Sequence, residues 1–159
     1  MKRLVFLIAG VLAIAACGSD PADVEGTYTV GVTNREDACN FGWMVGQMNA
    51  GITVVITQNG EHANAEIQGF AGLAVGAAVG TNMFSGAVDG DTIDLVATGT
   101  NPKTSGNCTF TYDGRIEATA TGNAIEGTIR YVANTNTASD CAAVQCESHQ
   151  DFSGARPPK

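Results

Sequence analysis

The sequence has little positive charge and few histidines, and these shortages exclude several classes of function. Eight lysines and arginines stand against sixteen aspartates and glutamates, for a formal net charge of −8 over 159 residues. So acidic a chain lacks the basic surface that binds nucleic acid or anionic lipid. The two histidines, His62 and His149, have no metal-ligand or catalytic-triad spacing around them. We therefore expect no metal, no cofactor and no nucleic-acid partner.

Motifs of catalysis are also missing from the sequence. It has no phosphate-binding loop, no dinucleotide fingerprint, no nucleophile elbow and no cysteine–histidine arrangement. Asp89, Asp91 and Asp94 lie close together, but they lack the twelve-residue loop and closing glutamate of a calcium site. Asp89-Gly90 is explained as a turn. We predict that the protein is not an enzyme.

The first residues have the layout of a cleaved secretory signal. A positive start, Met1-Lys2-Arg3, is followed by the apolar run Leu4 to Ile14, which is too short to span a bilayer. Small residues and a cysteine come next. Ile14-Ala15-Ala16-Cys17 resembles the lipobox of bacterial lipoproteins. The resemblance implies cleavage before Cys17 and a diacylglycerol on its sulfur.

This resemblance predicts how the chain is organised and where it is located. We expect a signal peptide over 1–16, a lipidated cysteine and tether over 17–23, a single domain over 24–156 and a tail over 157–159. In enterobacterial lipoproteins, an aspartate directly after the lipidated cysteine favours retention in the inner membrane. Gly18 occupies that position here, which favours the outer membrane. The expected protein is exported and held to the cell envelope by its lipid.

Alternating apolar and polar residues predict an all-β domain. On the first strand, for example, Tyr28, Val30 and Val32 share one face. The pattern indicates eight strands near 24–33, 51–58, 61–69, 82–88, 91–99, 108–121, 124–134 and 149–155. Two-residue turns that join neighbouring strands are predicted at Asn59-Gly60, Asp89-Gly90 and Gly122-Asn123.

The three turns also predict the register of their hairpins. The predicted pairs include Ile56 with Ala63, Phe84 with Leu95, and Ala120 with Ile125. Each hairpin then places its apolar residues on one face, which a slip of one residue would destroy.

If consecutive strands alternate in direction, the tight turns lie at one end of the domain. The long connections 34–50, 70–81, 100–107 and 135–148 then lie at the other end. An even number of strands lets the eighth pair with the first, so we predict an up-and-down antiparallel barrel that is closed. A β-sandwich is the alternative. Small inward residues would leave room inside for one small ligand: Ala63, Ala65, Gly86, Ala97, Ala118, Ala120 and Gly127.

Four further cysteines form an even set, which in an exported protein predicts two disulfides. The strand pattern places all four at the end with the long connections. Cys108 opens the sixth strand, and Cys141 follows the seventh, its hairpin partner. Cys146 precedes the eighth strand, which closes onto the first, and Cys39 follows the first. Of the three possible connectivities we therefore predict Cys108–Cys141 and Cys39–Cys146.

An eight-stranded meander whose first strand carries Gly26-x-Tyr28 resembles the calycin group, the lipocalins and their relatives. Those proteins typically have Gly-x-Trp at this point. The resemblance covers 24–155 and implies their barrel architecture. The end of the chain, Gln150 to Pro157, resembles the tails of uncharacterised lipoproteins from large-genome, predatory or social bacteria, and this likeness implies no activity.

Two apolar segments occur in the long connections. One is 69–80 (GFAGLAVGAAVG), with glycines four residues apart, and the other contains Phe41, Trp43, Met44 and Met48. Each is interpreted either as a loop or short helix that closes the core, or as a cover over a cavity. The candidate ligand-binding residues are Trp43, Phe41, Met44, Leu73, Val75, Tyr112 and Ala118.

From these features we expect a non-catalytic lipoprotein that binds a small apolar ligand at the barrel end away from the anchor. The alternative is a structural or adhesive module of the cell envelope with a packed core.

Overall fold

In a computed structural model, which describes residues 20–159, strands form most of the domain where the sequence alternates between apolar and polar residues. The predicted signal peptide and Cys17 lie outside the described residues. The strands are β1 (Gly26–Asp37), β2 (Met48–Asn59), β3 (His62–Ile67), β4 (Met83–Asp89), β5 (Thr92–Ala97), β6 (Lys103–Ser105), β7 (Cys108–Thr121), β8 (Ala124–Thr135) and β9 (Glu147–Ala155). An α-helix, α1 (Gly69–Val79), and a 3₁₀ helix (Ser139–Ala143) interrupt them.

Eight of the strands close into an antiparallel barrel. Each pairs with its neighbours in the chain, β9 pairs with β1, and β5 pairs with β7. The predicted closed up-and-down barrel is confirmed, and the β-sandwich is excluded. One strand was not predicted: β6 lies within the connection 100–107. Because β5 ends at Ala97, which pairs with Gly114, the earlier part of β7 needs another partner. Lys103 of β6 supplies it by pairing with Phe110.

The hairpin registers were predicted correctly for one turn and wrongly for two. Gly122-Asn123 connects β7 to β8 as expected, with Ala120 opposite Ile125. The other loops are residues 60–61 and 90–91, since Asn59 pairs with His62 and Asp89 pairs with Thr92.

The cause of these two errors is the position of glycine. In all three loops glycine stands first and has a positive φ, of 61°, 56° and 60°. The second loop residue does not, as in a type II′ turn. Each wrong register is displaced by two residues, so the predicted faces still point inward.

Large side chains fill the end of the barrel that carries the tight turns, which we call the closed end. Val24, Tyr28 and Val88 are at most 1% exposed. The Tyr28 hydroxyl donates to the carbonyl oxygen of Val24 over 3.0 Å. These residues form a solid floor.

The opposite end is cross-linked by two disulfides, Cys39–Cys146 and Cys108–Cys141, which are the predicted pairs. Cys108–Cys141 anchors the connection between β8 and β9 to β7, and Cys39–Cys146 joins that connection to the one between β1 and β2. The Cys39 backbone N–H also donates to the Ser148 hydroxyl over 2.8 Å. Two disulfides fit an exported protein, because reducing compartments keep cysteines as thiols.

Candidate functional site

A cavity of about 820 Å³ opens at the end of the barrel that carries the long connections. This volume lies within the range of about 300–1,000 Å³ that is usual for small-molecule sites. The inner wall is apolar and comes from seven of the eight barrel strands: Val30, Val32, Ile56, Ala65, Ile67, Ile93, Leu95, Ile116, Ala118, Ile125, Ile129 and Phe152. The floor described above closes it from below.

Small inward residues contribute to this volume less uniformly than the sequence predicted. Ala65 and Ala118 line the cavity. Ala63, Ala97 and Ala120 are buried in the core without reaching it. The remaining two, Gly86 and Gly127, lie where a Cβ atom would meet the backbone of the neighbouring strand. These glycines therefore allow the strands to approach each other, and they do not enlarge the cavity.

Helix α1 forms one side of the mouth. Ala71, Ala74, Val75 and Ala78 line the cavity with the 3–4 residue spacing of a single helix face. Of the three regularly spaced glycines, Gly72 packs where a Cβ atom would clash with the Ile67 carbonyl group. The segment is thus the short helix of the two interpretations, and it borders a cavity.

The C-terminal end of α1 is fixed by a glycine and by two side chains. Gly80 ends the helix with a φ of 103°, a left-handed conformation that glycine adopts without strain. Two side chains then bind carbonyl groups of the last turn. The Asn101 amide donates to the Ala77 oxygen over 2.8 Å, and the Lys103 ammonium donates to the Ala78 oxygen over 3.1 Å. The helix is therefore held to the connection that precedes β7.

The connection from β1 to β2 forms another side of the mouth. The Asp37 carboxylate accepts hydrogen bonds from the backbone N–H groups of Phe41 and Gly42, each over 2.8 Å. The indole N–H of Trp43 donates to the Arg35 carbonyl oxygen over 3.2 Å. These bonds hold the Phe41 and Trp43 rings stacked, with centroids 5.3 Å apart, on the cavity wall.

Four of the seven candidate ligand-binding residues lie on this wall, and three do not. Phe41, Trp43, Val75 and Ala118 line the cavity. Tyr112 lies behind Phe41 instead, in edge contact with it at 4.8 Å. Met44 and Leu73 point away and are 68% and 72% exposed.

Met44 and Leu73 belong to what we call the exposed apolar rim. It comprises large apolar residues on the two segments that border the mouth: Met44, Val45, Met48, Phe70 and Leu73. Apolar side chains exposed on two segments beside the mouth of a cavity are suited to contact with a ligand or a partner.

The cavity wall also contains a polar group that the sequence analysis missed, formed by Asn34, Gln150 and Tyr131. They lie on β1, β9 and β8, which are neighbours. The Gln150 amide nitrogen donates to the Asn34 amide oxygen over 2.6 Å, and the Tyr131 hydroxyl lies 3.4 Å from the Gln150 amide oxygen. Burial raises the pKa of Tyr131, so its phenol is neutral. We call these residues the inner polar group.

Strand alternation could have revealed this group. Asn34 follows Val30 and Val32 at intervals of two, and Gln150 precedes Phe152 by two. A polar residue on an inward face is the informative signal, because burial of an amide needs a hydrogen-bond partner.

The described part of the wall has no charged side chain: it contains no aspartate, glutamate, lysine, arginine or histidine. Within residues 20–159, no three histidine, cysteine or acidic side chains are close enough together to bind a metal ion. Nor does that range contain a helix with the length and hydropathy that crossing a membrane requires. The wall can therefore bind apolar surface and exchange hydrogen bonds with neutral groups only, at the inner polar group and through a few polar side chains nearer the mouth (Gln47, Asn49, Thr53 and Gln68).

Comparison with known proteins adds no relative to this description. No family model matches the chain, no curated protein matches it, and no solved structure matches it. The likeness to the lipobox and to the calycins stays a prediction from the sequence, and the function has to be inferred from the cavity itself.

Proposed function

We propose that the protein is an exported bacterial lipoprotein, anchored through Cys17, whose barrel binds a small apolar molecule without transforming it. The observation that carries this proposal is the apolar cavity of about 820 Å³. Solid packing is the rule inside small barrels, because empty space forfeits contacts. A cavity of this size with an apolar wall is what a ligand-binding barrel requires.

The expected affinity follows from buried area. A ligand that buries about 500 Å² of apolar surface gains roughly 12 kcal/mol at 25 cal/mol per Å². Loss of ligand and side-chain freedom costs at least about 4 kcal/mol of this. The remainder corresponds to dissociation constants in the micromolar range. No charged or catalytic group is needed for such binding.

The start of the domain supports an anchor at the closed end. The Ala22 backbone N–H donates to the Gly90 carbonyl oxygen over 2.7 Å, at one of the tight turns. Asp23 accepts a hydrogen bond from the Lys159 ammonium over 2.6 Å. Five residue steps separate Cys17 from Ala22, a reach of at most about 18 Å. The mouth of the cavity would then face away from the membrane that holds the lipid.

The exposed apolar rim favours a second candidate function, an adhesive or structural module of the cell envelope. Its apolar side chains are suited to contact with a partner. As first stated, this alternative required a packed core, and the cavity counts against that part of it.

The proposal is tested with Trp43, the only tryptophan, whose ring lies on the wall. Titration with N-phenyl-1-naphthylamine, a neutral apolar dye, should change its fluorescence in a saturable way. Ala118→Phe should weaken that response, because the added ring occupies part of the cavity that the ligand needs. Thr119→Phe is the matched control, since Thr119 is the next residue on the strand and points outward.

Two results would count against ligand binding. One is the absence of saturable binding in the unmodified protein, and the other is an equal loss in both variants. Native mass spectrometry of delipidated protein from its own host would then identify a natural ligand by its mass.

A further inference from the structure

We propose that the cavity selects a neutral molecule that carries a hydroxyl or carbonyl group, and that the inner polar group binds this oxygen. This inference rests on the proposed function and makes the class of ligand specific. It excludes long-chain carboxylates as the main ligands, although their apolar chains would suit the wall equally well.

The hydrogen-bond network of the inner polar group is incomplete. Asn34 is 2% exposed and lies directly opposite Gln150 in the pairing of β1 with β9. Its amide oxygen accepts from Gln150, but no residue within 20–159 accepts a hydrogen bond from its amide nitrogen. If the side-chain amides of Asn34 and Gln150 were both rotated by 180°, so that oxygen and nitrogen exchanged places, the Asn34 oxygen would be the atom without a partner. In either orientation, one hydrogen-bonding end of a buried amide faces the cavity.

A ligand can reach this end of the amide from the cavity. Among residues 20–159 the fully buried side-chain nitrogen or oxygen without a partner is Arg130 Nε, so the Asn34 amide nitrogen keeps accessible surface. A net hydrogen bond to it would strengthen binding by about 2–10-fold. A ligand hydroxyl both donates and accepts, so it can satisfy Asn34 in either orientation and can also bind the Tyr131 oxygen. Carbonyl groups can accept from the Asn34 amide nitrogen.

The described wall supplies no counter-charge to an ionised ligand. Two cations lie near the mouth, and both are engaged elsewhere. Arg35 points outward and binds Asp151 over 2.6 Å. Lys103 caps α1 and lies 5.2 Å above the Tyr112 ring. The Asp37 carboxylate, in the segment that holds Phe41 at the mouth, accepts two backbone N–H bonds. An ionised ligand group drawn into the cavity would lose its hydration and gain no partner.

The expected discrimination is large. Burial of an unpaired charge costs several kcal/mol, and each 1.4 kcal/mol corresponds to a factor of ten. We therefore expect a neutral head group to bind at least about tenfold more tightly than a charged one on the same chain.

Three ligands with the same alkyl chain test this: 1-dodecanol, dodecanoate and dodecylammonium. Each displaces N-phenyl-1-naphthylamine from the delipidated protein at pH 8, below its aggregation concentration. The alcohol should bind at least about tenfold more tightly than either ion. Dodecylammonium separates two explanations, because the acidic protein attracts cations and repels anions at long range. If the whole-protein charge alone decided the order, the cation would bind most tightly.

The outcomes separate this inference from the proposed function. Binding of dodecanoate or dodecylammonium as tight as that of the alcohol would overturn the inference and leave apolar ligand binding intact. If neither the dye nor any of the three ligands bound, the proposed function itself would be wrong.

Substitutions in the inner polar group test its role directly. Asn34→Leu should weaken 1-dodecanol binding relative to binding of the apolar dye by about 2–10-fold, the equivalent of one hydrogen bond. Asn64→Leu is the control, since Asn64 is exposed on β3 and does not line the cavity. Tyr131→Phe removes a single oxygen and keeps the ring, so it provides a second variant if Asn34→Leu folds poorly. Equal alcohol-to-dye ratios in all four proteins would refute the assignment.

Discussion

Arg156 is the side chain whose loss should most weaken the closed end of the barrel. Although only 6% of its side chain is exposed, it carries a full charge. Its guanidinium donates to the carbonyl oxygens of Asp23 (2.7 Å) and Glu25. It also donates to the Asn123 amide oxygen over 3.4 Å and lies 5.7 Å above the Tyr28 ring. One residue thus joins the segment before β1, the turn between β7 and β8, and the floor.

The magnitude follows from what Arg156→Met would leave behind. Methionine keeps the apolar contacts of the stem but donates no hydrogen bond. Two backbone carbonyls lose a charged donor, and such bonds contribute about 1.5–3 kcal/mol each. Because the losses share one side chain, they do not add fully. We expect a decrease of about 3–4 kcal/mol in the free energy of unfolding.

Urea unfolding followed by circular dichroism measures this decrease. Arg35→Met is the matched control: the Arg35–Asp151 pair is 46% exposed on both sides, and exposed pairs contribute about 0–1 kcal/mol. A decrease below about 1 kcal/mol in Arg156→Met, or one no larger than in the control, would refute the role of Arg156 as a clamp.

Three further predictions concern other parts of the molecule. Replacing Cys39 and Cys146 with serine should lower the free energy of unfolding by about 5 kcal/mol, and replacing Cys108 and Cys141 by about 4 kcal/mol, because the loops that they close span 107 and 33 residues. Urea unfolding of both double variants checks the order. Burial raises the pKa of all three tyrosines above the usual 10.0. Stability present below pH 10 should therefore fall as the pH rises further, and ultraviolet titration should show tyrosines ionising together with unfolding. Cys17→Ser should abolish partitioning into detergent, and continued partitioning would contradict lipidation.

The barrel could be predicted from the sequence because the residues that specify its strands alternate with a period of two. On β7 every second residue from Cys108 to Ala120 is buried, and this alternation alone defines the strand and its inward face. The closure of β9 onto β1 followed from an even number of strands. The disulfide pairs followed in turn, since only that closure brings Cys39 near Cys146.

Details of the turns and of the site could not be predicted in the same way. The loop positions at Gly60 and Gly90 depend on which residue adopts a positive φ, and both Asn-Gly and Asp-Gly are compatible with either loop. The outward orientation of Met44 and Leu73 depends on how their segments pack at the mouth. Local periodicity contains no information about that packing. Asn34 lay just beyond the predicted end of the first strand, so its inward position was not considered.

The distribution of stabilising contacts leads to a last prediction, which concerns Ala118. The cavity lies between two reinforced ends of the barrel, the floor with Arg156 at one and the two disulfides at the other. In a packed core, Ala118→Phe would force side chains apart and cost about 1–3 kcal/mol. Here Ala118 faces open volume, so the added ring should bury apolar surface and leave the free energy of unfolding unchanged or higher. A decrease of more than about 1 kcal/mol in urea unfolding would indicate that this part of the barrel is packed, and ligand binding would lose its main support.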